Sequence, residues 1–406
     1  MSIPDIIFPL GTRFASVLGG GGVTTPAPAG ENRKMYDTLG GSTAVFAAHP
    51  DALANHSAMR DNVLSAFCSI SLPASITRVR IGFHVWIVTN AATAAFQMAS
   101  ALTAAASRHH IRQNTTTNVQ ANVAGGSVID ILTAPSLATM YWIEALFDCG
   151  SGTHTLDSWV NGVKQTQVTG AIAASTFTQV SVGNPNASGT CDMYVSDAVC
   201  NYTNPNDYIG ETYVLDFVPS LYGTHVMTTG DFTNNSSANV VVGETASAAL
   251  IDEWPANITD YVQQIVTRTT SYLEYKFAVA PPVGYPKPVG MRIDTAMMPV
   301  AAATANDVAF RLNDNLGAVV TAEASFDCSI TSSTLEYHSN FYSKRPSTLG
   351  PWTLDALKDA RLRFGFSADA APPPALSAAL MSVAFQQASD TPNMIDRPRW
   401  TRKLRR

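Results

Sequence analysis

Cleavage of a glycosidic bond needs two carboxylates, about 5–5.5 Å apart when one is the nucleophile and about 6.5–9.5 Å apart when a water lies between them. Three acids lie in segments regular enough to present such a pair: Glu144 in Trp142-Ile-Glu144, and Asp192 and Asp197 in Asp192-Met-Tyr-Val-Ser-Asp197. Glu144 stands alone in its segment. Asp192 and Asp197 are an odd number of positions apart, which on a regular strand sends them to opposite faces. No Glu-x-Asp-x-Glu run, HExxH, GxSxG or Walker pattern occurs, so the sequence predicts no enzyme and no catalytic residue. His109-His110 suggests a metal, but neighbours on a strand face apart, and the pair reads as loop histidines. Asp197 with Asn204-Pro-Asn-Asp207 offers oxygens suited to calcium, while turn chemistry accounts for the same residues. The expectation is therefore no cofactor and no metal. Trp159, Tyr202 and Tyr208 are the candidate glycan contacts, as an aromatic platform for a sugar ring; the alternative is that they fill a core.

These residues sit among β-branched and aromatic runs bounded by turn formers. In Ser75-Ile-Thr-Arg-Val-Arg-Ile-Gly-Phe-His-Val-Trp-Ile-Val-Thr89 the apolar positions Val79, Ile81, Phe83, Val85 and Ile87 recur at period two, the pattern of a half-buried strand. Similar runs are Tyr141 to Phe147, Thr155 to Val160, Thr176 to Val182, Tyr272 to Val279, Val289 to Thr295, Asp307 to Leu312 and Leu380 to Phe385. Ala91 to Ala106 suits either a helix or a strand. Thr353 to Ala360, opened by a Thr cap, reads as a short helical turn. So dense a run of strands implies antiparallel sheets, and 406 residues suit two domains with linkers.

Both ends differ from the body. Gly19 to Gly30 is a Gly/Pro linker. Ahead of it Ile6, Ile7, Phe8 and Phe14 form an apolar arm, read as a docking device whose burial has to come from another chain. At the other end Arg397, Arg399, Arg402 and Lys403 surround Trp400 in a stretch of ten residues with six cations and no anion; it reads as a partner-binding tail. The body is mildly acidic, with net charge −6 and pI near 5.7, which argues against nucleic acid as a partner. Charged residues are 14% of the chain, against about 25% ordinarily, and this suits a protein packed among neighbours. The N-terminus lacks a basic n-region, and no apolar run reaches the ~20 residues that cross a bilayer, so no membrane insertion is expected. The five cysteines show no zinc spacing and read as reduced, buried thiols, Cys191 and Cys200 included.

The order Trp142-Ile-Glu144, Trp159-Val-Asn-Gly162, Phe177 to Asn184, Asp192 to Asp197, Asn206-Asp-Tyr-Ile-Gly210 and Tyr213-Val-Leu215 resembles the concanavalin A-like (laminin G-like) sandwich of bacteriophage virion proteins, minor tail and fibre-associated ones among them. The region after residue 217 resembles the second domain that follows it there. The resemblance implies an all-β chain of two consecutive antiparallel sandwiches, 35–217 as a concanavalin A-like jelly roll and 218–388 as a second sandwich; it finds no match in the first 60 residues, and the docking arm and linker at 1–34 and the basic tail at 389–406 are read from composition. It further implies a structural virion component, assembled in the bacterial cytoplasm and partnered by other virion proteins and by copies of itself. The alternatives are a capsid decoration or head-fibre protein, and a lectin-like receptor-binding protein recognising host surface saccharide.

Overall fold

The computed structural model describes residues 4–8, 38–40, 45–51, 53, 56–61, 67–89, 94–115, 117–185, 191–222, 226, 231–234, 246–252, 260–265, 270–298, 306–313, 324–330, 336–346, 348–365 and 375–387. Phe14, the Gly/Pro linker and the tail from Arg397 to Arg406 fall outside these residues. In chain order the strands begin with β1 (Ile6–Ile7), β2 (Thr38–Gly40), β3 (Val45–Ala48), β4 (Ser57–Asp61), β5 (Phe67–Ser71), β6 (Arg78–Ile87), β7 (Phe96–Thr103), β8 (Arg108–Gln113) and β9 (Val119–Asn122). There follow β10 (Val128–Leu132), β11 (Met140–Asp148), β12 (Thr153–Val160), β13 (Val163–Lys164), β14 (Val168–Ala171), β15 (Phe177–Gly183), β16 (Met193–Asn201), β17 (Thr212–Phe217) and β18 (Pro219–Tyr222). The rest are β19 (Phe232–Asn234), helix α1 (Ala246–Ala249), β20 (Val262–Gln264), β21 (Tyr272–Phe277), β22 (Lys287–Met298), β23 (Asn306–Asn313), β24 (Ala324–Ile330), β25 (Glu336–Tyr342), helix α2 (Leu354–Asp359), β26 (Arg361–Gly365) and β27 (Ala375–Gln386).

The protein is all-β, its strands paired antiparallel in four sheets. The first runs β13-β12-β11-β6-β16-β4-β3, with β1 also on β16 and β14 on β12; the second runs β10-β9-β8-β7-β15-β5-β2. Val79, Ile81, Phe83, Val85 and Ile87 of β6 are all fully buried, and they meet Met98, Ala99 and Ala101 of β7 and Val180 and Val182 of β15 in the core of a first sandwich. The third sheet runs β19-β20-β27-β22-β25, with β17 also on β27, and the fourth runs β18-β21-β26-β23-β24. Leu215 and Phe217 of β17, Met291 and Ile293 of β22, and Met381, Val383 and Phe385 of β27 meet Leu273 and Tyr275 of β21 and Leu362 and Phe364 of β26 in the core of a second sandwich. β17 hydrogen-bonds to β27 from Thr212↔Gln386 to Phe217↔Met381, so residues 212–217 lie in the third sheet.

The two sandwiches stack, first sheet on third. Ile7, Trp142 and Val199 from the first sheet side close on Val214, Val289 and Ala384 from the third. β27 is buried along all twelve residues because one face lines the second core and the other faces this contact. The same stacking corrects the half-buried reading of β6. Its polar face is buried too, with Arg80 at 2% and His84 at 1% exposure. Gly82, on that face between Glu144 and Val199, is there because a Cβ would overlap the Trp142 indole. Gly82→Ala should lower stability by about 1–3 kcal/mol, the cost of overpacking, read as a shifted urea midpoint.

Ala91 to Ala106 resolves as a strand, β7, where it is described. The Thr353 cap is present, its hydroxyl accepting from the Ala356 N–H at 3.2 Å. Asn161 and Gly162 both take positive φ, 49° and 81°, and close the β12–β13 hairpin, as their spacing predicts. Cys68, Cys149, Cys191 and Cys200 are buried and form no disulfide.

Candidate functional site

Of the three carboxylates that sequence reading singled out, Glu144 and Asp197 are drawn into the contact between the sandwiches, while Asp192 lies just ahead of β16, its carbonyl accepting from the Val88 and Thr89 N–H groups. Asp197 does not follow the alternation of a regular strand. β16 carries a register shift between Ser196 and Val199, and Asp197 itself sits at φ 56°. Such a bulge re-aims a side chain. Here it turns the carboxylate of Asp197 toward β17, whose Val214 N–H donates to Oδ1 at 2.6 Å. His56 Nε2 lies 2.9 Å from Oδ2, His84 Nδ1 2.7 Å from the same oxygen, and the Ser196 hydroxyl donates to it at 2.7 Å.

Both imidazoles carry on to a second carboxylate. His56 Nδ1 is 2.8 Å from Asp51 Oδ2, and His84 Nε2 is 3.4 Å from Glu211 Oε1. Asp51 also contacts His49 Nδ1 at 3.1 Å and accepts from the Leu53 N–H. An imidazole with carboxylates at both nitrogens is a double donor, hence a cation. Burial works against the charge on His56, but Asp197 and then Asp51 outweigh it and hold His56 up at about 10. His84 is raised in the same way against its burial by Asp197 and Glu211. Burial would lift Asp197, yet His56 and His84 hold it far below the carboxylate range.

A second anchor lies beside this one. Glu144 on β11 is fully buried; its Oε1 accepts from Arg80 Nη1 at 2.7 Å and from the Ile209 N–H at 2.9 Å, and its Oε2 from the Gly210 N–H at 3.2 Å. Burial pushes this carboxyl up, against the pull of Arg80 and the two amides. Arg80 donates onward to the carbonyls of Pro205 and Asn206. The Asn204 to Asp207 turn thus turns these two carbonyls to a guanidinium. Both anchors fix the segment 209–214 that leads into the second sandwich, and Gln386 at the end of β27 donates to the Ile209 carbonyl at 2.6 Å.

Of the three aromatic candidates, two come together. Trp159 and Tyr208 are half-buried with ring centroids 6.1 Å apart; Arg80 lies over the Trp159 ring at 4.5 Å and Lys164 at 5.5 Å. Tyr202 packs instead against the first core, and its N–H donates to Asp5. His109 and His110 are not in a loop. They lie on β8 and face apart as alternation requires, His109 Nε2 against His154 Nδ1 at 2.9 Å.

The apolar arm, where described, is covered by its own chain. Ile6 and Ile7 pair with Cys200 and Val199 of β16, Ile7 and Phe8 are fully buried, and Arg292 Nη1 donates to the Ile7 carbonyl at 2.9 Å. The premise that burial of this arm has to come from another chain therefore does not hold for Ile6, Ile7 and Phe8. A β-strand edge and the adjoining third sheet supply it.

No family model matches the chain, and no curated protein matches it. Among solved structures it is similar to a Trypanosoma rangeli sialidase complex (10% identity, 48% of this chain and 35% of that one, TM-score 0.31) and to mouse laminin alpha1 chain domains LG4-5 (8%, 82% and 83%, 0.29). It is likewise similar to the botulinum neurotoxin type G receptor-binding domain (9%, 79% and 83%, 0.30). The chain spans between 15% and 35% of the sialidase chains it matches. At these identities and TM-scores the likenesses carry no functional argument. The class of protein rests on the strands themselves: an all-β chain of two stacked antiparallel sandwiches.

Proposed function

We propose that the chain is a structural, non-catalytic component of a bacteriophage particle, a minor tail or fibre-associated protein. The observation that supports the reading is the buried polar network at the contact between the sandwiches. Glu144 and Asp197, the acids best placed for chemistry, have both oxygens engaged there: Asp197 holds His56 and His84 and takes the Val214 N–H of β17, while Glu144 holds Arg80 and takes the Ile209 and Gly210 N–H groups that lead into β17. Two sandwiches fixed at one spacing suit a part that transmits shape within an assembly. The low charge and the resemblance of the Trp142 to Leu215 segments point the same way. Purified particles should carry the chain at fixed copy number, located by labelled imaging on the tail or its fibres. Absence from purified particles would end this reading.

A second reading, lectin-like binding of host saccharide, is favoured by the Trp159 and Tyr208 rings with Lys164 at their edge, its side chain 59% exposed. In that case Trp159→Ala should abolish adsorption of the purified protein to host cells and to a glycan array. Equal adsorption by the variant would remove the aromatic pair from the account.

A further inference from the structure

His49, Asp51 and His56 lie within eight residues of sequence, in the connection between β3 and β4, His56 being the residue just before β4, and sequence reading passed over them. One ligand atom from each lies within 4.8 Å of the others. We propose that these three side chains form a binding site for one divalent transition ion of the zinc class, held by His49 Nδ1, His56 Nδ1 and an Asp51 carboxylate oxygen. Two imidazoles and a carboxylate are a donor set that zinc takes readily, with a fourth position left to water.

Three features favour an ion over a purely structural cluster. The Asp51 N–H approaches His49 Nδ1 at 3.2 Å, so a lone pair of that ring faces the cluster. His56 already has the support that metal-bound histidines have, its far nitrogen held by a carboxylate, Asp197, that is itself fixed by His84 and Val214. Finally, Asp51 retains 19% side-chain exposure while both imidazoles have none, which leaves an entry path from its side. The rings of His49 and His56 stack at 4.2 Å with 23° between their planes, and binding requires them to open slightly about Asp51, the Asp51 N–H to release His49 Nδ1, and the Nδ1 proton of His56 to leave to solvent as the ion enters. An ion there would pin the β3–β4 turn to Asp197 and through it to β17. The inference does not depend on the particle assignment.

The test uses the full chain, stripped with chelator, untagged, and titrated with Zn²⁺ alone by calorimetry, then with Co²⁺ followed by absorption. Wild type and a His110→Gln control should each bind one equivalent, with several degrees of added thermal stability. Asp51→Asn and His49→Gln should weaken binding by at least about tenfold. His49→Cys should keep the site and add a thiolate-to-cobalt charge-transfer band in the near ultraviolet. No saturable binding by wild type, unchanged affinity in both weakened variants, or a folded His49→Cys protein without that band would each overturn the site.

Discussion

Asp197→Ala should destabilise the folded chain by about 3–5 kcal/mol, the cost of removing one partner from a buried charge pair. The loss is large because the carboxylate is fully buried and serves two imidazoles and one backbone amide. Without it two histidines face no counter-charge on that side, and the Val214 N–H loses its acceptor in a region closed to water. Both sandwiches depend on the contact, so the shift should appear in the urea midpoint and as loss of cooperativity between them in calorimetry. A double-mutant cycle with His84→Ala should give a coupling energy above about 1 kcal/mol. A midpoint within about 0.5 kcal/mol of wild type would mean that Asp197 does not hold the two sandwiches together.

The features that decide this site were unequally visible in the amino-acid order. The inward face of β6 was legible, since Val79 to Ile87 alternate at period two and all five apolar side chains are buried. The Asn161-Gly162 turn and the Thr353 cap were legible for the same kind of reason: each is local chemistry. The outward face was not. Arg80 and His84 fell on the open side of a half-buried strand because alternation says which face a residue is on, not what covers that face, and here the third sheet covers it. Asp197 was misplaced by a bulge, a one-residue irregularity that reverses every parity argument beyond it. β8 went unread because Arg108-His-His-Ile-Arg-Gln113 has a single large apolar residue, though three of its six residues have no or almost no exposure. The His49-x-Asp51-x4-His56 spacing was in view throughout, and a count of histidine and aspartate within eight residues would have drawn attention to it.

Acid should weaken the fold well before its carboxylates titrate, and His109 and His110 are the cause. Burial, and then the His154 ring, hold His109 at about 4; burial, and then the Arg112 charge, hold His110 at about 3. Both values are depressed from about 6.5, so the unfolded chain takes up protons that the folded chain refuses. The stability these rings contribute is complete above about pH 6.5 and is lost as the pH falls toward 4 and 3, on the order of 1 kcal/mol per pH unit for each. The other histidines with shifts run the opposite way. His56 and His84 are raised, so their contribution is fully present below about 6.5 and is lost only at higher pH, for His56 as the pH climbs toward about 10. Asp51 and Asp197 are depressed and weaken the fold only as the pH falls below about 4. Between pH 6.5 and 4 the decline among the described residues with shifts therefore belongs to β8, with Glu144, raised by burial, opposing it. The ring nitrogens of His110 make no well-formed hydrogen bond, the Arg108 backbone being at most a weak contact, so His110→Leu roughly keeps the volume and removes chiefly the titration. Its urea midpoint should match or exceed wild type at pH 7, and its loss of stability down to pH 4 should be smaller by roughly 2–3 kcal/mol. Parallel acid limbs for the variant and wild type would show that His110 takes up its proton without cost in the folded state, and would place the acid sensitivity elsewhere in the chain.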